Sequence, residues 1–102
     1  MLELRPTCEH CDRALPPAST DARICSYECT FCATCVENVL HNICPNCGGG
    51  FVPRPIRPAR NWIGDNYLGK DPATAVRKYR PVDPAAHARL AAAIGSLRPE
   101  QR

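Results

Sequence analysis

The sequence predicts a small metal-stabilised α+β module followed by a tail with two helices. Three observations carry this. All eight cysteines fall between Cys8 and Cys47, paired at gaps of two or three residues. The same stretch holds one helix signal and few large apolar residues. The second half opens with a proline- and arginine-rich run and contains two Asp-Pro steps of the kind that start helices.

A unit of ~50 residues buries too little surface to fold comfortably alone and needs a cross-link. Sulfur supplies it, as disulfides or as metal ligands. The first seven residues have no basic region followed by an apolar one, so they do not read as a signal peptide. No run approaches the ~18 apolar residues of a membrane span. The expectation is a cytoplasmic chain off the membrane, and in that compartment cysteines at two-residue gaps read as metal ligands rather than a disulfide framework.

The elements follow in order. Leu2 and Leu4 flank Glu3 in a short alternation that suggests a strand edge. Residues 12–21 read as a loop, stiffened by Pro16-Pro17 and given turn chemistry by Ser19-Thr20-Asp21. Arg23 to Tyr27 suggests one strand of a small hairpin. Thr34-Cys35-Val36-Glu37 fits a capping box, and Val36, Val39, Leu40 and Ile43 repeat at helical spacing. The helix expected there runs from about Cys35 to His41, its apolar face forming the core with Ile24, Phe31 and Phe51. Cys44-Pro45-Asn46-Cys47 and the glycines after it make a tight turn that converges two sulfurs.

Eight thiolates match two tetrahedral zinc ions, each closed by four cysteines. Two pairings compete. A sequential scheme gives Cys8, Cys11, Cys25 and Cys29 to one ion, and Cys32, Cys35, Cys44 and Cys47 to the other. An interleaved scheme groups Cys8, Cys11, Cys32 and Cys35, and sets Cys25, Cys29, Cys44 and Cys47 at the second ion. The interleaved one is preferred. Cys32 and Cys35 sit at a helix start, where the dipole favours thiolates, and interleaving ties distant segments together in a chain with little core. His10, His41 and His87 read as surface or supporting residues, with His10 and His41 the reserve ligands. An iron–sulfur cluster is the rival: Cys29-x-x-Cys32-x-x-Cys35 starts like a ferredoxin motif, but Cys44-Pro45 follows after eight residues rather than three.

The spacing C-x2-C-x13-C-x3-C-x2-C-x2-C-x8-C-x2-C resembles an all-cysteine RING finger, a treble-clef-type binuclear zinc module with a short central helix. RING-type ubiquitin ligases hold their conjugating enzyme with an apolar residue in the first knuckle and an aromatic near the helix end. Glu9, His10 and Val39-Leu40 stand at those places, which argues against ligase function. The strings Met1–Pro6, Ala22-Arg23-Ile24-Cys25-Ser26, Glu28–Cys32 and Cys44-Pro45-Asn46-Cys47-Gly48-Gly49 resemble the small bacterial cysteine-rich proteins of domain-of-unknown-function family 1272, over about residues 1–55. That resemblance implies a compact zinc-binding protein and supplies no activity.

The domain reading is a zinc module over 1–52, a linker over 53–60 and a basic segment over 61–102. Pro53-Arg54-Pro55-Ile56-Arg57-Pro58 suggests extended polyproline geometry. Trp62, Ile63, Tyr67 and Leu68 are expected to dock on the module. Asp71-Pro72 predicts a helix over 72–79, and Asp83-Pro84 one over 84–95. Residues 1–52 carry a net charge of −3 and residues 53–102 carry +6; thiolates holding two divalent ions take the first half to −7. The halves are therefore expected to attract each other, with an anionic partner as the alternative. The expected role is a protein-interaction or scaffold module with structural zincs and another protein as partner. Nucleic-acid binding through Arg54, Arg57, Arg60, Arg77, Lys78 and Arg80, with Trp62 and Tyr79 as stacking residues, is the alternative. No catalytic constellation stands out, so no enzyme is expected.

Overall fold

Cys25 and Cys29 flank the turn of a hairpin, and that hairpin organises the fold. In the computed structural model, which describes residues 1–102, β1 (Ala22–Ile24) pairs antiparallel with β2 (Thr30–Cys32). A third strand, β3 (Val52–Pro53), joins the other side of β1, giving the order β2-β1-β3. Pro53 is tolerated because an edge strand has one side without ladder partners. The strand expected over Arg23–Tyr27 stops at Ile24. Beyond it the backbone turns, the Cys25 N–H donating to Cys29 O and the Glu28 N–H to Cys25 O. Leu2–Leu4 forms no strand; Leu4 goes into the core instead.

A helical segment begins directly after β2. Its first turn, α1 (Ala33–Cys35), runs on as a π-helical stretch, Val36–Leu40. The capping box expected at Thr34 and Glu37 is corrected here: the N-cap is Cys32, extended at φ −78° and ψ 156°, with no side-chain cap. Cys32 must end β2 while presenting its sulfur, so the helix starts ahead of the hydroxyl signal. At the other end His41 and Asn42 both take left-handed backbone (φ 50° and 59°), and the Asn42 N–H closes the segment on Val36 O at 3.0 Å. The Asn42 side chain then accepts from the Phe51 N–H at 2.9 Å, tying the helix end to the approach to β3.

The core lies between hairpin and helix. Phe31 and Leu40 are fully buried, and Phe31 meets Phe51 edge to face at 5.5 Å. The main apolar cluster contains eleven residues, six of them cysteines (Cys8, Cys25, Cys29, Cys32, Cys35 and Cys44). Over half of this core is therefore sulfur that a metal would order.

The stretch 53–60, read as a linker, starts inside the sheet and carries a buried side chain with three backbone partners. Arg54 is buried and donates to Arg5 O at 2.8 Å, Leu15 O at 3.1 Å and Pro16 O at 3.0 Å. Arg57 donates to Asp71 O and Leu2 O, both at 2.7 Å.

The helix expected over 72–79 is absent; residues 72–82 run irregularly along the first half of the chain. Their amide donors bond outward, Thr74 N–H to Leu4 O, Arg80 N–H to Glu9 O and Val82 N–H to His10 Nδ1, and a helix would have needed those groups. Asp83-Pro84 does open a helix, α2 (Pro84–Ile94), with Asp83 Oδ1 accepting from the Ala85 N–H at 3.1 Å. The docking expected through Trp62 and Ile63 is also corrected. They are 72% and 77% exposed, while Tyr67 and Leu68 are only half-buried. The tail docks instead through residues 74–82, through His87 on Leu40 O, through Ile94 beside Gly48, and through Arg102 on Asn42 O and Gly48 O.

Candidate metal centre

Two stretches of chain bring four thiols together. Cys8 and Cys11 come from the first knuckle, Cys32 from the end of β2 and Cys35 from α1, and their four sulfurs lie within 4.8 Å of one another. Cys11 Sγ stands 3.8 Å from Cys32 Sγ. Zinc bound at ~2.3 Å by four sulfurs puts those sulfurs ~3.8 Å apart, so the spacing fits a single tetrahedral ion. Cys8 and Cys11 thus lie with Cys32 and Cys35, the grouping of the interleaved scheme.

The second group holds Cys25, from the hairpin turn, with Cys44 and Cys47 from the last knuckle, again within 4.8 Å. Cys29 lies outside this convergent trio. It is buried, its Sγ accepts from Asn46 Nδ2 at 3.4 Å, and its charge bears on Cys44. Backbone donors reach two other sulfurs of this group, Tyr27 N–H to Cys25 Sγ and Gly49 N–H to Cys47 Sγ, each at 3.4 Å. Such N–H···S contacts orient thiolates in tight turns and stabilise their charge.

The electrostatics suit a cation. Burial pushes the Cys35 thiol well above its ordinary range, and the neighbouring thiols Cys32, Cys8 and Cys11 add to it. Burial likewise raises Cys44, over the opposing pull of backbone donors at Asn46 and Cys47, with the charges of Cys29 and Cys25 adding to the rise. Burial also raises Cys11. Only Cys8 is lowered, because backbone donors at Cys11, Cys32 and His10 outweigh its burial. Crowded thiols that resist ionising together are what a divalent ion resolves, by supplying the missing positive charge.

The histidines stand apart from both groups. His10 is half-buried, with Nδ1 accepting from the Val82 N–H at 2.9 Å; His41 is exposed; His87 is buried against Leu40 O. Glu9 was not legible as a structural residue. It sits inside the first knuckle, 1% exposed, with Oε2 accepting from the Thr30 N–H at 2.6 Å and from Arg5 at 3.0 Å. Burial alone would lower the Arg5 pKa, but the Glu9 contact holds it above its ordinary value. An acid between two cysteines looks like a surface residue in sequence; only the return of β2 past the knuckle buries it.

Residues 80–90 of the tail lie against the first knuckle, the helix end and the last knuckle. No helix is long and apolar enough to cross a membrane.

No solved structure matches the chain. An uncharacterized protein of Rhizobium meliloti (strain 1021) is 56% identical over 81 residues, covering 79% of this chain and 89% of that protein. A family model described as a protein of unknown function (DUF1272) matches residues 1–57, and the chain belongs to that family.

Proposed function

We propose that this protein is a cytoplasmic protein-interaction or scaffold module of treble-clef type, organised by two structural zinc ions. Cys8, Cys11, Cys32 and Cys35 hold the first ion; Cys25, Cys29, Cys44 and Cys47 hold the second. The observation that carries the reading is the tight convergence of four thiols, from two stretches some twenty residues apart, on a volume suited to one ion. Four-cysteine tetrahedral sites are characteristic of structural zinc, and a closed shell leaves no position for substrate, so the protein is not an enzyme. Cys29, buried beside this trio with Asn46 as its hydrogen-bond donor, is the fourth ligand of the second site.

The tail's arginines favour a protein partner over nucleic acid. Arg54 is buried, Arg57 bonds two carbonyls, Arg77 pairs with Asp12, and Arg80 lies 3.9 Å from Glu9. Of the six basic residues singled out in the sequence, Arg60, Lys78 and the exposed Arg80 are left to follow a phosphate backbone. Trp62 and Ile63 stay exposed, and an exposed aromatic beside an aliphatic residue is a common anchor for a protein partner.

Native mass spectrometry with elemental analysis tests the metal reading: two zincs per chain are expected, and one metal, or iron, would overturn it. A photo-crosslinker at position 62, used in the native host, tests the interaction. Crosslinks to nucleic acid in place of protein would reverse the choice of partner.

A further inference from the structure

We propose that the cavity between the two outer knuckles and α2 binds a small zwitterion of the α-amino-acid class carrying a short aliphatic side chain. This goes beyond the scaffold role, since it assigns the module a small-molecule ligand.

The cavity measures about 390 Å³ and is lined by residues from the first knuckle, the last knuckle and the tail. That size lies near the lower end of small-ligand sites, roughly 300–1,000 Å³. Two lining residues each have a buried polar atom without a partner, Glu9 Oε1 and His87 Nδ1. Glu9 is 1% exposed and His87 6%. Glu9 spends its other oxygen on Thr30 and Arg5. His87 Nε2 lies 2.9 Å from Leu40 O. A carbonyl can only accept, so Nε2 carries the proton and Nδ1 of the neutral ring is an acceptor.

Two buried acceptors without donors are costly, and native proteins resolve such groups with water or a ligand. The ligand therefore needs hydrogen-bond donors at one end. Asp83, at the start of α2, adds a carboxylate to the same lining, so a positively charged donor such as an ammonium fits best. A purely cationic ligand fits poorly, because Arg80 also lines the cavity, with its guanidinium 3.9 Å from Glu9 Oε1 and its side chain 69% exposed. That long exposed side chain has room to re-aim onto an incoming carboxylate, which would release Glu9 Oε1 for the ammonium. The remaining wall, Pro45, Val82 and Leu90, is apolar and takes an aliphatic side chain.

The test uses the full metal-loaded chain and amide NMR titrations with L-leucine, leucinamide and N-acetyl-leucine. L-leucine is expected to shift the signals of Val82, His87 and Leu90. Each analogue, lacking one charge, is expected to bind about tenfold more weakly or worse. Arg80→Gln should weaken leucine and tighten leucinamide, whose ammonium no longer meets a guanidinium beside Glu9. No shift by leucine at about 10 mM, where a millimolar Kd is visible, would overturn the proposal. So would equal binding of all three compounds, or an Arg80→Gln effect of equal size and direction on leucine and leucinamide.

Discussion

Replacing Arg54 by Met tests whether the proline- and arginine-rich stretch is linker or framework. The substitution keeps most of the side-chain length and removes the guanidinium. Three carbonyls, on Arg5, Leu15 and Pro16, then lose their donor. A hydrogen bond to a charged group contributes ~1.5–3 kcal/mol net, so three at the lower end give ~4–5 kcal/mol. Burial alone depresses the Arg54 pKa, so ending that desolvation returns part of the loss. The expected net destabilisation is about 3 kcal/mol, the size seen when a buried polar network is broken. For a chain of this length that corresponds to a drop in Tm of roughly 12–24 °C. The assay is thermal unfolding by circular dichroism at fixed free zinc, because bound metal contributes to apparent stability. Arg57→Met, with two half-buried carbonyl partners, should fall between Arg54→Met and Arg60→Met. Arg60 is exposed and lies 6.0 Å from the Trp62 ring, so its loss should change little. A change of under ~1 kcal/mol for Arg54→Met, or no ranking among the three, would refute the reasoning.

Other predictions concern the metal groups and the tail. Zinc affinity should rise with pH through the neutral range. The Cys11, Cys35 and Cys44 thiols are held above their ordinary values without metal, and each must lose its proton to bind. Competition titrations against a chromophoric chelator on either side of pH 7 check this, and a flat profile would contradict the crowded-thiol account. Gly50→Ala should dislodge the C-terminal hook and leave the metal groups intact. Its new Cβ would lie 2.8 Å from Pro99 Cγ, and the chain terminus yields more easily than a buried knuckle. Amide shifts confined to the neighbourhood of residues 97–102, restored toward native positions by adding Pro99→Gly, are the expected NMR result. Trp62→Ala and Ile63→Ala should each leave stability within about 0.5 kcal/mol of the parent, since both side chains face solvent. A larger loss in denaturant unfolding would restore the idea that they dock on the module.

The tail shows why some local signals succeed and others fail. Asp71-Pro72 and Asp83-Pro84 carry the same start chemistry. After Pro84 come alanines and Leu90, good helix formers, and the Asp83 side chain caps the first turn. After Pro72 come Thr74 and Val76, stiff at χ1, with Pro81 ahead. The amides there bond across to Leu4, Glu9 and His10, so the local preference for helix was weak and the tertiary alternative strong. The capping-box signal at Thr34 yielded for a related reason: the demand that Cys32 present a sulfur while ending β2 outweighed one hydroxyl–amide bond.

Cysteine spacing alone determined the number of thiols, their pairing into turns, and the need of a short chain for a cross-link stronger than its apolar residues supply. Those are local properties, because two sulfurs two residues apart converge within a single turn wherever the turn sits. The sequence also carried the attraction between an acidic first half and a basic second half. Only the tertiary structure decided which turns meet, placing the first knuckle beside Cys32 and Cys35 across a separation of some twenty residues. It alone turned Glu9 and Arg54 from apparent surface charges into buried braces, and left Trp62 outside. The reason is that a buried charge is selected by its distant partners: the carbonyls that hold Arg54 are on residues 5, 15 and 16, and nothing near position 54 encodes them.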